Sequence, residues 1–402
     1  MANSTDIQTI SEYFGAISGP EHLIRDEGAL CIAPANTEQV ATSLRFANEN
    51  GITVTAWGGG TKQGWGNPCQ PALILKTQRL ATVREHTWQD MTCTVEAGCT
   101  WSSMQASLSR HGQFVALDPL WPDRATIGGV IATNDSGSLR LRYGSLRDLI
   151  IGMTIVLADG TVARSGGKVV KNVAGYDLHK LMTGAFGTLG IITEITFRLH
   201  SIPKHTRSYT IASTDVEALS QLLLKVLDSH LSTQSLQLRS DAAGFYLDLR
   251  LVALPEVIHE QAVSLATLAH GLGMEVLDAA PEIWRAREKQ FSRPGFFAVK
   301  ATMLPTEIAQ FTSAVQALGG SSVTQGTGIM TASLPVAASG LLSDLRRAIG
   351  AARGSLSVLE RPADTGIAPW DVEPDTLPLM REIKHRFDPK RILNPGRFLH
   401  GI

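Results

Sequence analysis

Apolar positions in the first two hundred residues come as short, often β-branched runs cut off by glycine or proline. Ala29-Leu30-Cys31-Ile32-Ala33 stops at Pro34, and Ile52-Thr53-Val54-Thr55-Ala56-Trp57 runs straight into Gly58-Gly59-Gly60. Runs of this kind between breakers predict strands. Between them the spacing predicts a helix capped by Thr37 and running through Asn48, with Glu38 in the first turn where the dipole favours a carboxylate. Further strands are predicted over 72–76 and 92–97, and a helix over 101–111. Residues 148–164 carry two strand patterns around Asp159-Gly160, a hairpin signal. Residues 191–199 form another strand, and Pro203 ends the pattern.

After residue 206 the texture changes. Strand patterns at 208–212, 245–252 and 296–303 alternate with helical ones at 216–229, 256–270 and 306–318, which predicts a separate α+β domain with an antiparallel sheet. A final helix is predicted over 377–387, followed by Asp388-Pro389-Lys390-Arg391-Ile392-Leu393-Asn394-Pro395-Gly396-Arg397. A chain of 402 residues suits two domains with sizeable cores.

Charge removes several functions. The net charge of −1 offers no global attraction to nucleic acid or an anionic membrane. Cys31, Cys69, Cys93 and Cys99 contain no Cys-x-x-Cys pair, so no zinc or iron–sulfur ligand set is expected, and no disulfide framework. The first residues lack a basic segment followed by an apolar run, and the most apolar window, 149–158, is too short to span a bilayer. The expectation is a cytoplasmic protein that meets the inner membrane, if at all, through partners.

Glycine supplies the candidate chemistry. Gly58-Gly59-Gly60 after a strand lets several backbone N–H groups approach an anion, with Thr61 and Lys62 adding a hydroxyl and a charge. The loop is neither Gly-x-Gly-x-x-Gly nor a P-loop. Thr126 can cap a short helix through Gly128-Gly129-Val130, whose free N–H groups would face an anion. Gly187-Thr188-Leu189-Gly190 turns tightly into the strand at 191–199. Each segment alone reads equally well as a structural turn. Three of them in this order suit a long phosphate-bearing cofactor, FAD, better than a mononucleotide.

The series Asp118-Pro119, Thr126-Ile127-Gly128-Gly129, Arg142-Tyr143-Gly144, Val156-Leu157-Ala158-Asp159-Gly160, Gly175-Tyr176-Asp177-Leu178 and Gly187-Thr188-Leu189-Gly190-Ile191 resembles the PCMH-type FAD-binding domain of the vanillyl-alcohol oxidase superfamily. Within it the chain is similar to the glycolate oxidase and D-lactate dehydrogenase branch. The stretch from Gly166 to Leu178 is similar to the FAD-binding E subunits of bacterial glycolate oxidases. The resemblance covers roughly residues 30–200 and 386–398. It implies an α+β fold: an N-terminal helical segment (1–25), a two-lobed FAD-binding domain (26–205), a cap or substrate domain (206–350), and a C-terminal segment (351–402) that packs back on the FAD domain.

Carried over residue by residue, the resemblance makes Gly58, Gly59, Gly60, Thr61, Lys62 and Gly64 the first pyrophosphate loop. Pro119, Thr126, Gly128, Gly129, Ala132, Thr133 and Gly137 become the second wall, and Gly190 and Ile192 the adenosine side. The first loop has no histidine to tether the flavin, so noncovalent FAD is expected. The reaction implied is oxidation of a 2-hydroxy acid, glycolate to glyoxylate, beside a larger flavoprotein subunit and an iron–sulfur subunit. Full-length dehydrogenases of the branch carry His-x-Gly-Asp-Gly-Asn-x-His in the second domain. The corresponding segment here, Thr324 to Met330, has no histidine, so no metal is expected. The remaining catalytic candidates are Lys171, Tyr176 and Arg397, with Lys168 and Asn172 nearby. The alternatives are a self-sufficient D-2-hydroxy acid dehydrogenase and a non-catalytic assembly subunit of the same fold.

Overall fold

Strand ends fall where the breakers stand. The computed structural model describes residues 7–26, 29–167, 176–363, 365–370 and 375–402. They belong to two units: Met1–Asp135, Ser145–Ile202 and Val372–Ile402 form the first, Ser136–Gly144 and Pro203–Asp371 the second.

The first unit begins with a four-stranded sheet of β1 (Ile24–Asp26), β2 (Ala29–Ile32), β3 (Val54–Trp57) and β4 (Leu73–Lys76), in the order β1-β2-β4-β3. β4 runs parallel to both β2 and β3. Parallel strands of one sheet need a crossover, and the helix Thr37–Glu49 provides it between β2 and β3, which flank β4. Its cap is Asn36, one residue earlier than expected: the Asn36 side chain accepts from the Gln39 amide at 2.9 Å. Val40, Leu44 and Ala47 on this helix share a core with Ile32, Val54, Leu73 and Leu75.

A second, antiparallel sheet in the same unit holds β5 (Val83–Thr87), β6 (Thr92–Glu96), β8 (Ile150–Val156), β9 (Val162–Gly166) and β10 (Ile191–Arg198), in the order β5-β6-β10-β8-β9. β7 (Gln113–Phe114) pairs with β11 (His200–Ser201) as a separate ladder. Asp159-Gly160 makes the β8–β9 turn: Asp159 Oδ1 accepts from the Thr161 amide, and Gly160 has φ +83°. The helices Trp101–Ser109 and Ile127–Thr133 bury Trp101, Met104, Leu108, Ile127, Val130 and Ile131 against Val95, Ile155, Ile195 and Phe197.

The second unit is one eight-stranded antiparallel sheet with helices. Its strands are β12 (Thr206–Ser213), β13 (Thr233–Asp241), β14 (Gly244–Val252), β15 (Leu277–Asp278), β16 (Phe296–Thr302), β17 (Ser321–Gln325), β18 (Ile329–Pro335) and β19 (Ser355–Glu360). The order is β15-β12-β14-β13-β17-β18-β16-β19. Helices Val216–Leu227, Pro255–His270, Ile308–Ala317 and Leu342–Ala351 place their apolar stripes with Leu236, Leu238, Leu247, Leu249, Val299 and Ala332 in one core. β19 pairs with β16, so residues 355–360 belong to this sheet, and the chain re-enters the first unit only from Val372. Among the described residues no helix is long and apolar enough to cross a membrane.

Candidate cofactor site

The three glycine segments, far apart in sequence, converge in the first unit. They line one cleft of about 830 Å³, open mouth included. Gly58 and Gly59 are where the first two segments meet. A Cβ on Gly58 would stand 2.0 Å from Thr126 Oγ1, and one on Gly59 would stand 1.8 Å from the Arg124 carbonyl oxygen. Only glycine allows that approach. Thr126 caps the helix Ile127–Thr133 by accepting from the Gly129 amide at 3.4 Å. Among the described residues, the backbone N–H groups of Gly59, Gly60 and Thr61 donate to no protein acceptor.

The end of the chain fastens this cleft. Leu393 bridges Val54 in parallel, next to the first glycine loop. Lys384 Nζ donates to Asp388 Oδ2 (2.7 Å), to the Thr188 carbonyl (2.8 Å) and to the Leu393 carbonyl (2.9 Å). Asp388 in turn accepts from the amides of Ile392 and Leu393. The pair is 3% and 0% exposed. Burial pulls the Lys384 pKa below its ordinary value, and Asp388 opposes that fall. Asn394 Nδ2 donates to the Phe186 carbonyl at 2.8 Å. Asn394 Oδ1 is buried with no hydrogen-bond partner, on a residue of the cleft wall.

Arg397 closes the arrangement from the same segment. Its Nη2 donates to the carbonyls of Lys62 (3.2 Å) and Gln63 (2.9 Å), and its Nη1 to Gln63 Oε1 (2.7 Å). Burial lowers its pKa from the ordinary arginine value, and Cys69 acts against that shift. The Cys69 thiol is itself pushed up by burial, with Arg397 pulling it back. Lys62 turns into the protein: its Nζ lies 3.3 Å from Asp135 Oδ2, with side chains 4% and 2% exposed. The ammonium also sits 5.5 Å from the Trp121 ring centroid and 5.7 Å from that of Trp65, within cation–π range.

Of the residues expected from the sequence, Gly58, Gly59, Gly60, Thr61, Lys62, Thr126, Gly128, Gly129, Ala132, Thr133, Gly190, Ile192 and Arg397 line the cleft. Gly64 and Pro119 do not, and Gly137 stands in Ser136–Gly144, a segment of the second unit. Tyr176 is 91% exposed and off the cleft wall. Lys168, Lys171 and Asn172 lie outside the described residues. Sequence reasoning missed Gln63, Thr77, Ala97, Met182, Ala185, Phe186, Leu189 and Asn394 as wall residues. Asn394 carried a legible signal, because a turn-forming Asn-Pro-Gly near the chain end is the kind of motif that returns to a site. The apolar ones carried none.

The cleft fits a dinucleotide. Unpaired N–H donors on Gly59, Gly60 and Thr61 suit a pyrophosphate, Asn394 Oδ1 suits a hydroxyl or ring N–H donor, and the apolar wall around Met182, Phe186 and Leu189 suits a planar ring system. Among the described residues no histidine, cysteine or tyrosine lines it.

Comparison with known proteins agrees with this chemistry. Residues 29–166 match the FAD binding domain, and residues 367–398 match the C-terminal domain of FAD linked oxidases. The glycolate oxidase subunit GlcD of Bacillus subtilis is 32% identical over 51% of this chain and 44% of its own length. A mitochondrial D-lactate dehydrogenase (cytochrome) of Arabidopsis thaliana is 37% identical over 44% of this chain and 31% of its own. The chain thus spans less than half the length of these curated relatives. An uncharacterised FAD-linked oxidoreductase of Mycobacterium tuberculosis is 28% identical over 92% of this chain and 90% of its own length. Among solved structures, an alkyldihydroxyacetonephosphate synthase shares the fold with a TM-score of 0.74 over 97% of this chain and 85% of that one, at 16% identity. The chain thus carries a PCMH-type FAD-binding domain and the C-terminal domain of FAD linked oxidases, has a glycolate oxidase subunit and D-lactate dehydrogenases among its relatives, and takes FAD as its cofactor.

Proposed function

We propose that the chain is the FAD-binding subunit of a glycolate (2-hydroxy acid) oxidase or dehydrogenase complex, and that it holds FAD noncovalently. The observation that carries this reading is the cleft itself, with three amides at Gly59–Thr61 unpaired among the described residues, beside a wall whose described residues include no histidine, cysteine or tyrosine. The similarity to the glycolate oxidase subunit and the D-lactate dehydrogenases supports the substrate class.

Bound there, FAD supplies the two-electron acceptor for oxidation of a CH–OH carbon. The chain's own residues do the rest. The amides of Gly59, Gly60 and Thr61 hold the pyrophosphate, and Thr126, Gly128 and Gly129 form the facing wall. Gly190 and Ile192 back the adenosine. Arg397 is a positioning residue, since its Nη1 and Nη2 are committed to the carbonyls and side chain of the first loop. Lys171 is proposed as the cation that receives the substrate carboxylate, and Tyr176 as a group of the same loop region. A larger flavoprotein subunit and an iron–sulfur subunit would be its partners and would take up the electrons, in the cytoplasm or at the inner membrane through those partners.

The second reading, a self-sufficient D-2-hydroxy acid dehydrogenase, rests on the D-lactate dehydrogenase relatives. The third is an assembly subunit without flavin chemistry. Absorption spectra of the purified chain, followed by anaerobic addition of glycolate and D-lactate, separate them. Flavin released intact by heat or acid, and bleached by glycolate only when partner subunits are present, is the expected result. Rapid bleaching of the isolated chain would sink the subunit-only reading, and absence of stoichiometric flavin would sink the cofactor role.

A further inference from the structure

The second unit has its own polar pocket of about 1220 Å³, mouth included, which the FAD chemistry does not use. Arg239, Lys289, Gln290, Arg293 and Ser321 stand on its wall. Strand register places the two arginines over one face of the sheet. Arg239 is opposite Val323 across β13 and β17, and Val323 shares a face with Ser321, two residues away. Ser321 is opposite Ser333 across β17 and β18, and Arg293 Nη1 donates to both serine hydroxyls, at 2.8 Å for Ser321. Gln290 Oε1 accepts from the same two serines. The two hydroxyls also lie 3.0 Å apart, so Arg293, Gln290 and both serines form one hydrogen-bonded group.

Both arginines are held in place with donors to spare. Arg239 gives Nε and Nη2 to Asp248, a fully buried carboxylate that also accepts from Thr210 and Gln237. Its Nη1 has no hydrogen-bond partner among the described residues. Arg293 lies 3.9 Å over the Phe296 ring and pairs with no carboxylate among the described residues, so Nε and Nη2 are open. Lys289 is exposed and likewise pairs with none of the described carboxylates. The pocket's own acid, Asp241, accepts from the Ala243 amide in a local turn. Counting Arg239, Lys289 and Arg293 against Asp241 and Asp248 leaves one positive charge in excess.

Fixed guanidinium donors with excess positive charge, flanked by hydroxyls and an amide, match a planar or tetrahedral oxyanion. We propose that the second unit carries a binding site for a small oxyanion, a phosphate or a carboxylate, with Arg293 as its anchor, Arg239 as the second guanidinium and Lys289 as an outer charge.

The test uses the full, FAD-loaded chain, so that the cofactor cleft is filled, and titrates inorganic phosphate and malonate separately by calorimetry at low salt. Saturable binding of at least one anion is expected, weakening as salt rises. Arg293→Gln should weaken it about tenfold, as loss of a charge-assisted bond requires. Lys289→Gln, an exposed change that leaves the fold intact, should weaken it about threefold. Lys225→Gln, the same charge change on another exposed helix position, should do nothing. Preference for phosphate or for malonate identifies the source of the oxyanion. No saturable binding of either anion, or binding that Lys289→Gln and Lys225→Gln weaken equally, overturns the proposal.

Discussion

At the scale of single residues, buried charge decides most. Lys384 and Asp388 are both sealed from solvent; Lys384 also donates to the carbonyls of Thr188 and Leu393, and Asp388 accepts from the amides of Ile392 and Leu393. Removing one partner leaves an uncompensated buried charge, which costs about 3–5 kcal/mol. Lys384→Met should therefore lower urea stability by that amount and reduce bound FAD, whereas Arg386→Met, at an exposed pair on the same helix, should change stability by under about 1 kcal/mol. Equal effects from the two substitutions would contradict the assignment. His179 gives a pH prediction. Burial lowers its pKa from 6.5, and burial with Arg198 does the same for His200. The unfolded chain then binds more protons than the folded one as pH falls through about 6.5, so stability declines below that pH and is retained above it. Thermal melts from pH 8 to pH 5 should show the decline, with a shallower acid slope for His179→Gln.

At the scale of elements, the three glycine segments work only as a set. Gly59 has no room for a methyl group beside Arg124, while a Cβ on Gly64 would meet nothing within 4 Å. Gly59→Ala should purify with FAD content reduced at least tenfold, and Gly64→Ala should keep it. Flavin absorbance per protein reads this directly, and retention by Gly59→Ala would refute the close-approach argument. These segments were legible because each combines a breaker with a strand or helix end, a local property. The hairpin at Asp159-Gly160 and the Thr126 cap were legible for the same reason. The helix after Pro34 was misplaced by one residue, because Asn36 and Thr37 are both capable caps and the choice depends on which side chain reaches Gln39. β13, β17 and β18 were not read as strands. Their polar residues, such as Gln237, Arg239 and Ser321, are hydrogen-bonded by other side chains, so no simple alternation marks them.

At the scale of the whole molecule, the last residues belong to the first unit although the second unit separates them from it in sequence. Leu393 bridges Val54, Asn394 reaches Phe186, and Arg397 reaches Lys62 and Gln63. A chain stopped after Asp371 should fail to retain FAD, and supplying residues 372–402 as a separate peptide should restore part of the binding. Full FAD retention by the shortened chain would show that the segment is dispensable. Saturating FAD should stabilise the intact chain by roughly 2.7 kcal/mol at one hundred times its Kd.

By itself the sequence determined the cofactor class, since glycine loops, caps and strand runs are written in consecutive residues. Only the tertiary structure decided that Lys62 faces Asp135 and two tryptophans, that Arg397 clamps a loop more than three hundred residues away, and that Gly64, Pro119 and Gly137 stand off the cleft. The physical reason is that charge pairing and burial depend on which distant segments are brought together, and no local pattern encodes that meeting.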